Sequence, residues 1–243
     1  MNGSDGIFMG TGLPYLDVGD LRGKLIVLEG TDGVGRSTQL ADLRAWLELK
    51  GYGVATTGWT RSPLMARAID EAKAGHTLNV QTLCLLYAAD FADRLEHEVI
   101  PALRAGFIVL ADRYVYTALA RFKLRGADPD WIRKVFGFAL KPQRVVYMKL
   151  GIESLIPRVI NSENLSRRYW VDRSGEGMDY WESGMDLRLG NDFYDSFVEY
   201  QRRLLEEFEA ISREYGFVPV DASGEFAATN RALKEAILPI LES

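Results

Sequence analysis

Residues 24–38 read KLIVLEGTDGVGRST, an apolar segment that leads directly into a loop with three glycines. The loop follows the Walker A pattern Gly30-x-x-x-x-Gly35-x-Ser37, except that Arg36 stands where the pattern has a lysine. Glycines at these positions let consecutive backbone N–H groups curve around a phosphate, and the helix that follows points its positive dipole end at the anion. The stretch therefore predicts a strand, a phosphate-binding loop and a helix, in that order.

The residues on either side of the loop support this interpretation. Leu25–Leu28 is an apolar run typical of a buried strand, and apolar residues recur at helical spacing after Ser37, at Leu40, Leu43 and Leu47. The Ser37 hydroxyl is a candidate ligand for Mg²⁺. The candidate ATP-binding residues are Gly30, Thr31, Asp32, Gly33, Val34, Gly35, Arg36, Ser37 and Thr38.

The composition limits the class of protein and its partners. The chain has 243 residues and a net charge of −5, so an extended surface for a nucleic acid polymer is not expected. The single cysteine, Cys84, excludes an internal disulfide, and His76 and His97 are too far apart to suggest a metal site. No apolar run reaches the roughly 20 residues of a membrane span, and the N-terminus does not resemble a signal peptide. We therefore expect a cytoplasmic globular protein.

The order of apolar and amphipathic segments predicts an α/β domain. Residues 1–22 are rich in glycine and lack periodicity, so we expect a flexible N-terminal extension before a single domain over 23–243. The predicted strands are 25–29, 54–57, 107–111, 144–148 and 217–220. The predicted helices are 37–50, 64–74, 80–104, 131–140, 152–161, 192–215 and 225–241. This alternation predicts the three-layer P-loop NTPase fold, a five-stranded parallel sheet with helices on both faces. The charged, aperiodic segment 162–191 is predicted to be a lid.

A second polar motif follows a predicted strand. Val109–Ala111 leads into Asp112-Arg113-Tyr114. A carboxylate at the tip of a parallel strand beside a phosphate-binding loop can hold Mg²⁺, so Asp112 is a second candidate metal ligand. The guanidinium of Arg113 can bind a phosphate through two N–H donors.

The order and spacing of these motifs resemble the thymidylate kinase family of P-loop nucleoside monophosphate kinases. The resemblance runs from about residue 24 to the C-terminus and is densest in residues 28–39, in 85–94 with 99–103, and in 112–117. It implies transfer of the γ-phosphoryl group of ATP to a deoxynucleoside monophosphate, dTMP in the family, with Mg²⁺ and in a homodimer. The partners would be small-molecule nucleotides, with no nucleic acid polymer and no membrane.

The resemblance also implies roles for single residues. Asp32 matches the family's P-loop carboxylate, which lies near the sugar 3′-hydroxyl and the phosphoryl acceptor, and Arg113 matches the arginine that binds the acceptor phosphate. Tyr87 falls where the family stacks an aromatic ring on the thymine, a contact that contributes about 1–3 kcal/mol per base. A buried core position is the alternative for Tyr87. Thr117, at the end of the third motif, is a further candidate for substrate binding.

The chain departs from the family around the base. Phe91 stands where the family has an arginine that helps to recognise the base, and Arg121 stands where it typically has an aromatic residue. The family's Arg-Glu-Pro-Gly-Gly is replaced by residues 58–63, in which Arg61 can supply the missing charge. An apolar ring in place of a hydrogen-bond partner reduces discrimination between bases. An altered acceptor is therefore the alternative to dTMP.

The source of the catalytic positive charge is a separate question. Arg36 keeps the charge of the P-loop lysine but is longer and planar. The chain is thus either an active kinase with a substituted cation or a nucleotide-binding relative with weakened catalysis. A kinase for a nucleoside or a non-nucleotide acceptor is a third possibility.

Some family members carry a catalytic arginine in the P-loop, where this chain has Gly33, and others carry it in the lid. The candidates in the lid are Arg167, Arg168 and Arg173, for which a solvated charge run is the alternative.

Overall fold

The structure, a computed structural model, describes residues 6–13, 15–16, 18–60, 62–75, 78–161, 181 and 184–242. The strands are β1 Lys24–Glu29, β2 Val54–Gly58, β3 Ile108–Asp112, β4 Arg144–Lys149 and β5 Val218–Asp221. The helices are α1 Arg36–Leu49, α2 Ala66–Gly75, α3 Val80–Arg94, α4 Ile100–Arg104, α5 Val115–Leu124, α6 Pro129–Val135, α7 Ile152–Asn161, α8 Phe193–Tyr215 and α9 Phe226–Leu241. A π-helical turn, Leu95–Val99, joins α3 to α4, and a short 3₁₀ helix spans Met185–Leu187.

The five strands form one parallel sheet in the order β2-β3-β1-β4-β5. β1 lies at the centre and pairs with β3 on one side and β4 on the other. Successive side chains of a strand point to opposite faces, so Leu25 and Val27 join one apolar core while Ile26 and Leu28 join the other. The prediction of a five-stranded parallel sheet covered by helices on both faces is confirmed.

The helices cover the two faces of the sheet with their apolar sides. α1, α7 and α9 pack on the face that carries Ile26 and Leu28, whereas α3 and α5 pack on the face that carries Leu25 and Val27. α8 contributes to both cores, with Phe197 in one and Tyr200 in the other. Across the described residues, no helix combines the length and the apolar character needed to cross a membrane.

Two predicted helices differ from the observed ones in regularity or in extent. The predicted helix 80–104 is continuous but changes pitch at Leu95–Val99, directly before Pro101. Proline has no N–H to donate to a preceding carbonyl, which explains why the regular hydrogen-bond ladder is interrupted there. The predicted helix 131–140 instead runs from Pro129 to Val135, because Asp128 caps its start by accepting from the Trp131 N–H at 2.7 Å. α5 was not among the predicted helices.

The described part of the N-terminal segment packs against the domain. Residues 1–22 are predicted to be a flexible extension, but in the described part Phe8 and Val18 are buried in the core. The Met9 N–H donates to the Ala139 carbonyl at 2.8 Å. This docking depends on glycine, because a Cβ on Gly10 would lie 2.9 Å from the Cα of Gly137.

Candidate active site

The two polar motifs meet at one edge of the sheet. β1 and β3 are adjacent and parallel, with Leu28 opposite Asp112. The phosphate-binding loop therefore leaves β1 at the level where Asp112 and Arg113 end β3. Ligands of open parallel sheets bind at this carboxyl edge, so the position is that of a candidate active site.

The loop after β1 has the backbone that its glycines predict. Gly30, Gly33 and Gly35 have φ of 147°, 86° and 88°, a region that side chains rarely enter. At Gly30 space is also limiting, because a Cβ there would lie 2.8 Å from the carbonyl oxygen of Met148. The turn can therefore tolerate only glycine at this position without a shift of β4.

Arg113 adopts a strained backbone conformation. Its φ is 72°, which is uncommon for a residue other than glycine. Its N–H donates to the Leu28 carbonyl at 3.0 Å, and this bond ties the turn to the central strand. A residue stays in such an unfavourable backbone conformation only where the surrounding contacts hold it there. Residues of this kind are concentrated at functional sites.

Glu29, the last residue of β1, also stabilises the turn that contains Arg113. Its carboxylate accepts from the Tyr114 N–H at 2.8 Å and from the Thr117 hydroxyl at 2.9 Å, so it fixes the first turn of α5. Thr117, a predicted substrate-binding residue, is thus engaged with Glu29 and fully buried. Sequence reasoning did not single out Glu29. The available signal was a charged residue at the end of an otherwise apolar, buried strand.

Asp32 lies at the centre of a cluster of three arginines. Its carboxylate forms an ion pair with Arg113 and lies 3.4 Å from both Arg36 and Arg121. All four side chains are buried, with at most 7% exposure. Asp112 and Glu29 act on the same arginines, so the cluster balances three guanidinium groups with three carboxylates. A phosphate that enters it would take over N–H donors that now bind carboxylate oxygens, and guanidinium groups are the donors that phosphates prefer. The structure therefore brings together four of the predicted site residues.

The Arg36 side chain turns back towards the loop, and its guanidinium is hydrogen-bonded to the protein. Its Nε donates to Asp112 Oδ1 at 2.8 Å, and one terminal nitrogen donates to the carbonyls of Gly30 and Thr31 at 2.5 Å each. The other terminal nitrogen lies 3.4 Å from Asp32. A guanidinium has five N–H donors, and the contacts with these described residues use four of them. The cation is present where the Walker A pattern needs it, but it is bonded to the protein.

The two predicted metal ligands are in contact. The Ser37 hydroxyl donates to Asp112 Oδ2 at 3.0 Å. The described residues contain no group of three or more His, Cys, Asp or Glu side chains that could hold a metal ion. Mg²⁺ at a nucleotide site needs only one or two protein oxygens, because water and substrate phosphates complete its shell. Ser37 and Asp112 fit that requirement, although Arg36 competes for the second carboxylate oxygen of Asp112.

Burial and neighbouring positive charge shift the pKa values of Asp112 and Glu29 in opposite directions. Burial acts to raise the pKa of Asp112, but the positive charge and hydrogen bond of Arg36 hold it below its ordinary value. Asp112 is therefore ionised, as a ligand of a metal ion has to be. Burial raises the pKa of Glu29 to about 6, because the bond from the Tyr114 N–H and the charge of Arg113 offset only part of the desolvation.

We expect the raised pKa of Glu29 to make folding stability depend on pH. Below the ordinary pKa of 4.5 the carboxyl is protonated in both the folded and the unfolded chain, and above about 6 it is ionised in both. The free energy of unfolding therefore falls as pH rises through this window, by about 2 kcal/mol for a rise in pKa of this size. Glu29→Gln, which keeps the shape and two polar atoms, removes this dependence.

Chemical denaturation of both proteins at pH 4.5 and pH 7 measures the effect. The unfolding free energy of Glu29→Gln relative to wild type should rise by about 2 kcal/mol between the two pH values. All other titrating groups cancel in this difference. A difference that stays constant with pH would show that Glu29 titrates as in the unfolded chain.

The predicted base-binding aromatics are both buried. Tyr87 is 2% exposed and stacks on Trp181, with ring centroids 5.9 Å apart and planes 26° apart. Phe91 is 1% exposed and meets Tyr114 edge-on at 4.9 Å. The structure thus places Phe91 in the hydrophobic core, where it supports the turn of Arg113, rather than on the surface of a pocket. Arg121 does reach the site, through Asp32.

The remaining predicted residues cannot be placed. Arg61, Arg167, Arg168 and Arg173 lie outside the described residues, as does most of the predicted lid. Two residues that sequence reasoning missed lie beside the site. Trp181 contacts Tyr87, and Arg125 stacks over the Trp181 ring with 3.7 Å between its guanidinium carbon and the ring centroid.

The sequence of the chain is similar to those of known proteins. A protein-family model described as "Thymidylate kinase" matches residues 28–169. A "Probable thymidylate kinase 2" of Saccharolobus solfataricus is 33% identical over 221 residues, which cover 90% of this chain and 94% of that protein. A "Probable thymidylate kinase" of Pyrococcus horikoshii is 36% identical over 145 residues, or 57% of this chain and 71% of that protein. A "Thymidylate kinase" of Akkermansia muciniphila is 32% identical over 144 residues, or 59% of this chain and 70% of that protein.

Proposed function

We propose that this chain, which belongs to the thymidylate kinase family, transfers the γ-phosphoryl group of ATP to dTMP and so produces dTDP. Membership of the family makes the chain a nucleoside monophosphate kinase, a class of phosphotransferase with ATP as the donor. The relatives' names supply the acceptor for this proposal, and the structure supplies the residues that would act on it.

One observation carries the proposal: a donor loop and an acceptor arginine meet at a single carboxylate. Asp32 belongs to the loop after β1 and Arg113 to the turn after β3, and the two side chains form an ion pair. Phosphoryl transfer requires the γ-phosphate and the acceptor to be in line and close together, within an environment that stabilises negative charge. An arginine cluster between the two motifs supports this arrangement.

The residues present can perform the transfer in the following way. The backbone N–H groups of residues 33–38 would bind the β-phosphate at the start of α1. Arg113 and Arg121 would release the oxygens of Asp32 and bind those of the acceptor phosphate instead. One guanidinium can bind a phosphate through two N–H donors at once. Asp32, released from part of its ion pairing, would face the acceptor sugar. Arg36 would contribute positive charge as the γ-phosphoryl group moves.

We further propose that Mg²⁺ is required. Ser37 and Asp112 would hold it, because both present oxygen atoms at the start of α1 and the end of β3. When bound, the ion would neutralise charge on the β- and γ-phosphates. The proposal also includes a homodimer, which the family resemblance implies, and a cytoplasmic location.

A specific observation favours a second candidate, a nucleotide-binding protein with weakened catalysis. Arg36 is bonded to Asp112, to Asp32 and to two loop carbonyls. A cation held in this way has to break bonds with the protein before it can serve a phosphate. In this second candidate the loop binds ATP but transfers its phosphoryl group slowly.

A coupled assay of ADP release against a panel of acceptors tests the proposal. With ATP and Mg²⁺ we expect turnover of about 1–100 s⁻¹, the range typical of kinases, and the highest kcat/KM with dTMP among dTMP, dUMP, dCMP, dAMP, dGMP and thymidine. Turnover with another monophosphate but not with dTMP would contradict the acceptor alone. Turnover with none of them, while calorimetry shows ATP binding, would favour the second candidate.

A further inference from the structure

Trp181 lies on the side of Tyr87 that faces the arginine cluster. Its indole stacks on Tyr87, and it also lies 5.8 Å from Phe122 between ring centroids. The Arg121 guanidinium, which reaches Asp32, lies 5.6 Å from the indole centroid. A continuous set of contacts therefore leads from Asp32 through Arg121 and Trp181 to Tyr87.

Tyr87 has a second indole neighbour, Trp59, whose aromatic and cation–π contacts among the described residues are all with other aromatic rings. Trp59 lies 5.6 Å from Tyr87 and also packs near Phe91 and Phe136. Trp181 differs in that, besides Tyr87 and Phe122, it also contacts two guanidinium groups and Lys73, which lies 5.9 Å from its ring. Of these two neighbours, it is thus Trp181 that occupies the charged side of Tyr87, where an acceptor reaching Arg113 would place its base.

Arg125 holds Trp181 in this place. Its guanidinium makes two bonds to the Asp186 carboxylate, at 2.7 and 3.0 Å, and donates to the Trp181 carbonyl at 2.5 Å. It also donates to the Arg121 carbonyl at 3.2 Å and to the Tyr200 hydroxyl at 3.1 Å. These contacts account for all five N–H donors of the guanidinium. Trp181 is 5% exposed, so the indole is a packed part of the structure.

From these contacts we propose that Trp181 occupies the acceptor-base position in the ligand-free protein and thereby lowers the affinity for the acceptor. The indole is a planar aromatic ring, stacked on Tyr87 and covered by a guanidinium, so it makes the contacts that a nucleobase would make. An acceptor must displace it, and only a ligand whose base and phosphate together outweigh the indole's contacts can do so. Because Arg125 binds the Trp181 carbonyl, we expect the side chain rather than the backbone to move when Tyr87 is released. This inference rests on the proposed function, because it takes a nucleoside monophosphate as the ligand.

The test measures acceptor binding in variants of Trp181. Calorimetric titration with dTMP should give a Kd about tenfold lower for Trp181→Ala than for wild type, since one aromatic stack and its cation–π contacts no longer compete. Trp181→Phe should lie between the two. The control is Trp46→Phe, a tryptophan of α1 that contacts Lys50 and Lys234 and packs with the other core, and its Kd should not change.

Tryptophan fluorescence gives a second readout that does not depend on the alanine variant folding. Addition of dTMP should shift the emission of the wild type to the red as the Trp181 ring moves into water, and the shift should be absent in Trp181→Phe. A Kd that rises or stays the same in Trp181→Ala, or a shift that persists in Trp181→Phe, would overturn the inference while leaving the proposed function in place. Binding of dTMP to none of the proteins, together with no ADP release from wild type, would overturn both.

Discussion

Arg36→Ala lowers kcat/KM for ATP by about 10³-fold, the largest loss that we expect from a single substitution in this chain. The guanidinium fills the loop and contacts both Asp32 and Asp112. Alanine removes the positive charge from the phosphate site and also leaves two buried carboxylates without this partner. Breaking a buried pair in this way costs about 3–5 kcal/mol of stability, so the midpoint of denaturation should fall as well.

Two further variants separate charge from shape at this position. Arg36→Lys restores the residue of the Walker A pattern and should retain at least the wild-type turnover, because an ammonium group carries the charge and leaves Asp112 free for a metal ion. Arg44→Ala is the matched control: Arg44 lies on α1 in an exposed pair with Glu48, which contributes little. Loss of activity in Arg36→Lys equal to that in Arg36→Ala would show that the guanidinium itself is required. Unchanged activity in Arg36→Ala would exclude a role for Arg36 in phosphate handling.

The second large effect is expected at Arg113, on the acceptor side. Arg113→Ala should lower kcat/KM for dTMP by about 10²–10³-fold, because it removes a bidentate donor to the acceptor phosphate. The KM for ATP should change much less, since the loop after β1 keeps its backbone. Steady-state kinetics with each substrate varied in turn measures the two effects separately.

Arg113→Lys shows how much of the effect depends on the planar group. Lysine keeps the charge but not the pair of parallel donors, so we expect an intermediate loss, mainly in the KM for dTMP. Arg104→Ala, which breaks the exposed pair with Asp20 just before β3, is the control and should behave as wild type. Equal losses for ATP and dTMP in Arg113→Ala would contradict the assignment of Arg113 to the acceptor.

The elements whose signals are local in sequence were predictable. β1 is an apolar run that ends in a glycine-rich loop, and both features act on neighbouring residues, so the strand, loop and helix were predicted within one or two residues. The same holds for the pair Asp112 and Arg113 at the end of β3. Their position beside the loop after β1 followed from one general rule, that adjacent parallel strands end at the same edge.

The parts that were missed depend on contacts between distant residues. Arg121 reaches Asp32 across 89 positions of sequence, and Arg125 reaches Asp186 across 61. No periodicity or spacing reports such contacts, so Trp181 and Arg125 carried no signal. Phe91 was interpreted as a pocket residue because the family has arginine there. Its neighbours in space, which place it in the core, could not be read from the chain.

The position of Asp32 leads us to expect that the two proposed nucleotide sites are coupled. Asp32 is a residue of the donor loop, yet the arginines assigned to the acceptor are bonded to it. ATP bound in the loop would alter the ion pair between Asp32 and Arg113, which Arg113 has to leave before it can bind the acceptor phosphate. Conversely, an acceptor phosphate that binds Arg113 would leave the negative charge of Asp32 less compensated within the loop. Because such coupling is reciprocal, each substrate must alter the affinity of the other by the same factor. With the proposed roles, a single carboxylate would link the binding of the two substrates thermodynamically.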